Sequence, residues 1–137
     1  MEESSKIYLY KRMVQAKLFI DCNYAENIDI DNIADEACFS KFHFIRLFKK
    51  IYGRTPHQYL IRVRMEKALL LLENGKRVSE VCYAVGFESV TTFSGNFKRL
   101  FRVEPSLYAK IQQTIKQQVE KNPLKFVPHC FAHNYGW

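Results

Sequence analysis

The stretch from Ser40 to Tyr59 sets Lys41, Arg46, Lys49 and Lys50 among regularly spaced aromatic and aliphatic residues. Helical spacing puts Phe44, Leu47, Phe48 and Ile51 on one face, at i, i+3, i+4 and i+7. It leaves Lys41, Phe42, Ile45, Arg46, Lys49 and Lys50 on the other. A helix with an apolar inner face and a cationic outer face is built to meet anions. An ammonium takes a phosphate oxygen as a point charge, and a guanidinium can fork onto two acceptors at once. The chain then repeats itself 49 positions on, where Ser89, Phe93, Phe97, Lys98, Arg99, Leu100, Phe101, Pro105 and Tyr108 answer Ser40, Phe44, Phe48, Lys49, Lys50, Ile51, Tyr52, Pro56 and Tyr59. A period in this range marks one supersecondary unit used more than once. Two basic helical units suit a partner that is long, repetitive and negatively charged.

Charge distribution points the same way. The net charge is +7, yet residues 1–39 hold 4 Lys/Arg against 8 Asp/Glu, whereas residues 40–110 hold 14 against 5. The positive charge therefore sits in the repeated region, as in a nucleic-acid footprint. The plain alternative is a solvated basic face without a partner. Other chemistries find no support. The chain offers no nucleophile–base pair, no phosphate-binding glycine loop and no paired carboxylates, so an enzyme is not expected, nor is a cofactor. His129, Cys130 and His133 form the one metal-like cluster, but zinc wants a fourth ligand and paired spacing, so no metal site is assigned. The four cysteines lie far apart and read as small buried residues of a reducing compartment. No apolar run reaches the length of a membrane span, and the acidic, polar start Met1-Glu2-Glu3 is unlike a signal peptide. A cytoplasmic protein without membrane contact is the expectation.

The elements that would position these residues are helices. Residues 7–23 place Leu9, Met13, Ala16 and Ile20 on one face, with Val14 and Leu18 widening the stripe. Asp29 is a good N-cap for a short helix burying Ile30, Ile33, Ala34 and Ala37. Cys38-Phe39 is a short link, and Ser40 caps the cationic helix, so the two helices must cross steeply as in a helix-turn-helix. Gly53 ends that helix in a left-handed conformation. Thr55-Pro56 starts the longest helix, reaching about Asn74, with Tyr59, Leu60, Val63, Met65, Ala68, Leu69 and Leu72 as its apolar band. Leu69 to Leu72 is apolar all round and predicts burial between two halves. Gly75 closes it. In the second unit Val78, Val81, Cys82 and Val85 repeat the inner face, and Gly86-Phe87 supplies the turn. A helix from Ser89 to Phe101 turns Phe93, Phe97 and Leu100 inward and Val90, Thr91, Ser94, Gly95, Lys98 and Arg99 outward. Glu104-Pro105 begins a short last helix through Tyr108. Ile111, Ile115 and Val119 continue a thin stripe, and residues 123–137 read as no regular structure. The expected fold is all-α: two helix-turn-helix subdomains joined by a long connector helix, a tandem homeodomain-like arrangement. Residues 7–110 form the domain (7–53, 56–74 and 77–108), and 111–137 a C-terminal helix and aromatic tail of unassigned role.

The ordered pattern Ile33-Ala34, Phe39-Ser40, Phe44, Phe48-Lys49, Gly53, Pro56 and Tyr59, then Arg64-Met65, Ala68 and Leu71-Leu72, then Val81, Val85-Gly86-Phe87-Glu88-Ser89, Phe93, Phe97-Lys98, Pro105 and Tyr108, resembles the DNA-binding domain of the AraC/XylS family of bacterial transcription regulators. The resemblance covers about residues 7–110. It implies sequence-specific binding of double-stranded DNA in the nucleoid, with both recognition helices in successive major-groove segments, roughly 34 Å apart, contacted by one chain. It also implies transcription activation by contact with RNA polymerase, while repression by occlusion stays open.

By analogy with the family, the outward positions Phe42, Ile45, Arg46, Val90, Thr91, Thr92 and Gly95 are the base-reading candidates. Arg46 stands first, because a guanidinium can bond guanine O6 and N7 together; a phosphate contact is the less favoured alternative. Phe42 and Ile45 can pack on thymine methyls, or Phe42 can be a satellite of the core. Ser40, Lys41, His43, Lys49, Lys50, Ser89, Ser94, Asn96, Lys98 and Arg99 are the phosphate candidates. Relatives often carry Arg where Gly95 stands, so the second helix reads as the weaker reader. Arg64 is read as structural, pairing with a carboxylate or a helix end; Arg54 and Arg62 can reach DNA, with a solvated role the favoured reading. The rival class is a helical protein-interaction module that keeps the fold and binds DNA weakly or not at all.

Overall fold

A computed structural model describes residues 2–36 and 40–122. Seven α-helices run through these residues: α1 Glu2–Asn23, α2 Ile30–Glu36, α3 Lys41–Tyr52, α4 Pro56–Glu73, α5 Val78–Ala84, α6 Val90–Phe101 and α7 Pro105–Lys121. The described residues contain no strand. The all-α tandem arrangement expected above is present, with α2–α3 and α5–α6 as the two pairs and α4 between them.

The helix starts follow local chemistry. Asp29 accepts a bond from the Asp31 amide at 2.9 Å. Ser40 and Ser89 accept from the amides of His43 at 3.3 Å and Thr92 at 3.4 Å. Thr55 and Gln58 form a reciprocal capping box ahead of Pro56, satisfying two amides that would otherwise lack partners. At the other ends, Gly53 has φ 76°, and its N–H donates to Lys49 O. Arg102 takes the same left-handed cap at φ 62°, bonding Lys98 O. The repeat thus preserves the cap geometry although the glycine is gone.

Each unit owns an aromatic core, and the two are nearly superposable in their internal distances. Ring centroids of Phe44–Phe48, Phe48–Tyr52 and Phe48–Tyr59 lie 5.8, 4.7 and 5.7 Å apart. The counterparts Phe93–Phe97, Phe97–Phe101 and Phe97–Tyr108 lie 5.9, 4.8 and 5.8 Å apart. Tilted and edge-on pairs of this kind add about 0.5–1.5 kcal/mol each beyond area burial. Phe44, Phe48, Phe93 and Phe97 are all fully buried. Each unit also ties its tyrosine to a carboxylate on an earlier helix: Tyr59 Oη donates to Asp21 Oδ1 at 2.5 Å and Tyr108 Oη to Glu73 Oε1 at 2.6 Å.

Helix α4 belongs to both cores, giving Leu60 to the first and Met65, Ala68 and Leu72 to the second. A second bridge lies in the loop after α1. Tyr24 packs against both cores. Arg64 donates from Nε to Tyr24 O at 2.7 Å and from Nη2 to Glu26 O at 2.9 Å, and its guanidinium lies 5.5 Å from the Phe87 ring centroid. Arg64 therefore pairs with the carbonyls at a helix end, not with a carboxylate.

Several expectations need correction. Helix α1 begins before residue 7, and Val14 and Leu18 are exposed at 48% and 52%, so its buried stripe is narrower than the apolar pattern suggested. With Ile7 and Tyr10 they form a second apolar face turned to solvent. Leu70 is 53% exposed, because only Leu72 of the Leu69–Leu72 run faces the core fully. Leu100 is 36% exposed; Phe101 packs in the second core instead. The last helix does not stop near Tyr108 but runs on to Lys121, through residue 110, with Ile111 and Ile115 exposed along it. Ala37, Cys38, Phe39 and the tail from Pro123, with His129, Cys130 and His133, lie outside the described residues.

Candidate nucleic-acid interface

Once Phe44 and Phe48 are buried, the 3.6-residue period turns Phe42, Arg46 and Lys49 outward along one stripe of α3, with Lys50 beside it. Phe42 is 76% exposed. That is too open for a satellite of the core, which removes the bland reading of this residue. Ile45 is a correction: it is half-buried and packs against the first core. With Lys41 it lines a shallow cleft closed by Ile28, Ile30 and Asp31 of the loop and helix before it.

The same stripe in α6 is Thr91, Gly95 and Lys98, each exposed. Arg46 and Gly95 therefore occupy equivalent places. Val90 is 37% exposed, Thr92 is exposed and Ser94 half-buried. Gly95 has a φ within the ordinary helical range, and a Cβ built there meets nothing within 4 Å. No contact inside the described protein calls for glycine at this position.

The cationic candidates differ in how they are held. Lys41 pairs with Asp31 at 3.4 Å and Lys98 with Glu104 at 3.5 Å, all four side chains being more than half exposed. Such pairs contribute about 0–1 kcal/mol and yield easily to a phosphate. Asn96 donates to Thr92 O at 2.9 Å and accepts from Arg99, so Thr92, Asn96 and Arg99 form a ladder up one side of α6. Ser40 and Ser89 use their oxygens as cap acceptors. Each hydroxyl keeps its own proton to donate. His43 is exposed at the start of α3.

One grouping escapes the sequence, although Arg54 and Arg62 are each named there. Arg54, just ahead of α4, and His57, Gln58 and Arg62 from its first turns face Asn96, Arg99 and Leu100 of α6 across an open cleft between the two units. Asn96 and Leu100 stand where unit one has Leu47 and Ile51, which pack on the first core. In unit two those positions border this inter-unit cleft, which is why Leu100 stays partly open. Periodicity could not reveal the grouping, since it joins residues about 40 positions apart in the chain.

The tyrosines packed against Phe48 and Phe97 are tuned by their surroundings. Burial, then the bond to Asp21, raises the Tyr59 pKa, and burial with the Glu73 bond raises Tyr108 to about 12. Lys17 is also raised, mainly by its bond to Asp21, which it reaches at 3.1 Å. Burial alone lowers Arg64 from the ordinary arginine value. No group of three or more potential metal ligands gathers among the described residues. No helix among them is long and apolar enough to cross a membrane.

Comparison with known proteins adds to this geometry. A family profile described as "Helix-turn-helix domain" matches residues 33–111. YdeC of Bacillus subtilis, an uncharacterised HTH-type transcriptional regulator, is 33% identical over 110 residues, covering 80% of this chain and 38% of that protein. The TetD protein of transposon Tn10 from Escherichia coli is 34% identical over 94 residues, covering 68% of each. The lactose operon transcription activator of Staphylococcus xylosus is 33% identical over 91 residues, covering 66% of this chain and 33% of the activator. The chain thus spans well under half the length of two of these three relatives. Among solved structures, the DNA-binding domain of AdpA, a global transcriptional factor in complex with a target DNA, is similar at a TM-score of 0.73 and 28% identity, covering 77% of this chain and 96% of that one.

Proposed function

The chain belongs to the AraC-type helix-turn-helix family of DNA-binding transcription regulators, and from that premise we propose that it reads a bipartite duplex site with α3 and α6 in successive major-groove segments. The observation that carries this reading is the repeat in three dimensions. Two exposed stripes, Phe42-Arg46-Lys49 and Thr91-Gly95-Lys98, stand over matching aromatic cores that share α4. Residues at the same place in each unit meet the same part of a duplex when the units lie about one helical turn apart.

Within that reading the two units divide the work. Arg46 forks onto a guanine edge, Phe42 packs on a thymine methyl, and the flank of Ile45 left open by the core lies beside them. Thr91 and Thr92 offer single hydroxyls, Val90 a small apolar contact, and Gly95 nothing beyond backbone. Base discrimination therefore lies mainly in unit one. Ser40, Lys41, His43, Lys49, Lys50, Ser89, Ser94, Asn96, Lys98 and Arg99 hold phosphates, and Arg54 and Arg62 join them from the inter-unit cleft. Regulation by activation, through contact with RNA polymerase, is the mode we assign; the likeness to the lactose operon activator supports it.

Selection of bound duplexes from a random pool, followed by titration at two salt concentrations, tests this. A recovered motif with two elements one turn apart and a steep loss of affinity with salt is expected. Absence of binding at low salt overturns the reading in favour of a protein-interaction module. The regulatory mode is tested by transcription in vitro from a promoter carrying the selected site. A rise with added protein is expected, and a fall overturns activation.

A further inference from the structure

We propose that the loop after α1, pinned by Arg64 and seated on Gly86, is a clamp that fixes the phase between the two DNA-reading helices. This rests on the reading above that both α3 and α6 engage the duplex. Helix α4 is locked into each core by different side chains, so it sets the phase only as firmly as the helix resists bending and twisting between them. A contact away from its axis adds leverage against both.

Residues 24–26 make such a contact. The loop leaves α1, which belongs to unit one, and reaches the α5–α6 turn of unit two. Gly86 in that turn has φ 98°, and a Cβ there would lie 2.9 Å from Tyr24 O and 3.0 Å from Ala25 O. The loop backbone therefore lies directly on the glycine. Arg64 on α4 binds the loop from below through Tyr24 O and Glu26 O, and its guanidinium also covers the Phe87 ring beside Gly86. Tyr24 packs its ring into both cores, with the Lys67 ammonium 5.9 Å from its centroid. Arg64 thus touches the connector, the loop of one unit and the turn of the other. None of these residues lies on the exposed stripes of α3 or α6. Arg64, Tyr24 and Gly86 are positioning residues, acting through the relative placement of the readers.

A register-sensitive binding assay tests the clamp. The probe is the bipartite duplex recovered by selection with the wild-type protein, alongside versions with one base pair added or removed between the elements. A third probe carries the first element alone. The wild type is expected to lose about tenfold or more in affinity when the spacing changes, because an element out of phase is read as a mismatch. Arg64→Ala is expected to bind the original duplex less tightly, yet to lose no more than about threefold on respacing. Its affinity for the first element alone should stay at the wild-type value. Arg64→Lys, whose ammonium reaches one carbonyl where the guanidinium reaches two, should fall between; it carries the same comparison should the alanine variant not fold. Variants as strict about spacing as the wild type overturn the clamp, as does an equal loss on the single-element probe. A wild type indifferent to spacing instead overturns the two-helix reading on which the clamp depends.

Discussion

Arg46 and Gly95 stand at the same place in the two units, and they differ more than any other outward pair. An arginine aimed at a guanine contributes discrimination of about 1–3 kcal/mol, so Arg46→Ala should relax preference at one base position while binding to other positions keeps its order. Competition against a panel of single-base variants of the selected site measures this. Loss spread evenly over all positions would assign Arg46 to a phosphate. Gly95→Ala should raise stability by about 1 kcal/mol, because a Cβ there enters open space and alanine favours the helix. Denaturant unfolding reads the gain. A parallel drop in DNA affinity would show that the bare backbone is needed for close approach to the duplex.

At the scale of elements, helix ends and tyrosine ties decide local stability. Arg102 occupies a left-handed cap at φ 62° that unit one fills with Gly53 at φ 76°. A non-glycine residue there costs about 1–2 kcal/mol, so Arg102→Gly should stabilise α6 by about 1 kcal/mol, visible as a shifted denaturation midpoint. The tie between α7 and α4 is a matter of pH. Burial and the Glu73 bond raise the Tyr108 pKa to about 12, so the folded protein holds this proton more tightly than the unfolded chain. Its stabilising contribution is complete below the free tyrosine value of about 10 and is lost as pH rises from there through the folded value. Tyr108→Phe should therefore lose stability less steeply above pH 10 than the wild type, as measured by urea unfolding at several pH values. An unchanged slope would remove Tyr108 from the alkaline transition.

At the scale of the whole molecule, the two cores share α4 and Tyr24, which predicts that they unfold together. Phe44→Ala should cost about 3–5 kcal/mol, as for other fully buried phenylalanines. It should also speed amide exchange in α6 as well as α3. Hydrogen exchange read by NMR separates the outcomes: acceleration confined to α3 would mean independent units. Most of the positive charge lies in residues 40–110, which include α3, α6 and the residues of the cleft between them.

Much of this architecture was legible in the chain. The 49-residue repeat of Phe, Phe, Pro and Tyr forced two like cores. Ser40, Thr55 and Ser89 marked helix starts, because their side chains can bond the amides that a first turn leaves open. The outward stripe of α3 followed from its period of 3.6. Three-dimensional packing alone decided the rest. Apolar side chains on α1, at Leu70 and at Leu100 look like core residues in a sequence, yet a helix buries only the face that meets a neighbour. The half-buried state of Ile45 depends on the core beside it, to which α2 contributes. The inter-unit cleft and the Arg64–Tyr24–Gly86 contact join residues tens of positions apart, and no local pattern records which loops come to rest on which turns. Composition and period therefore determined two basic helix-turn-helix units, and tertiary packing set how they are held together, through contacts between segments far apart in sequence.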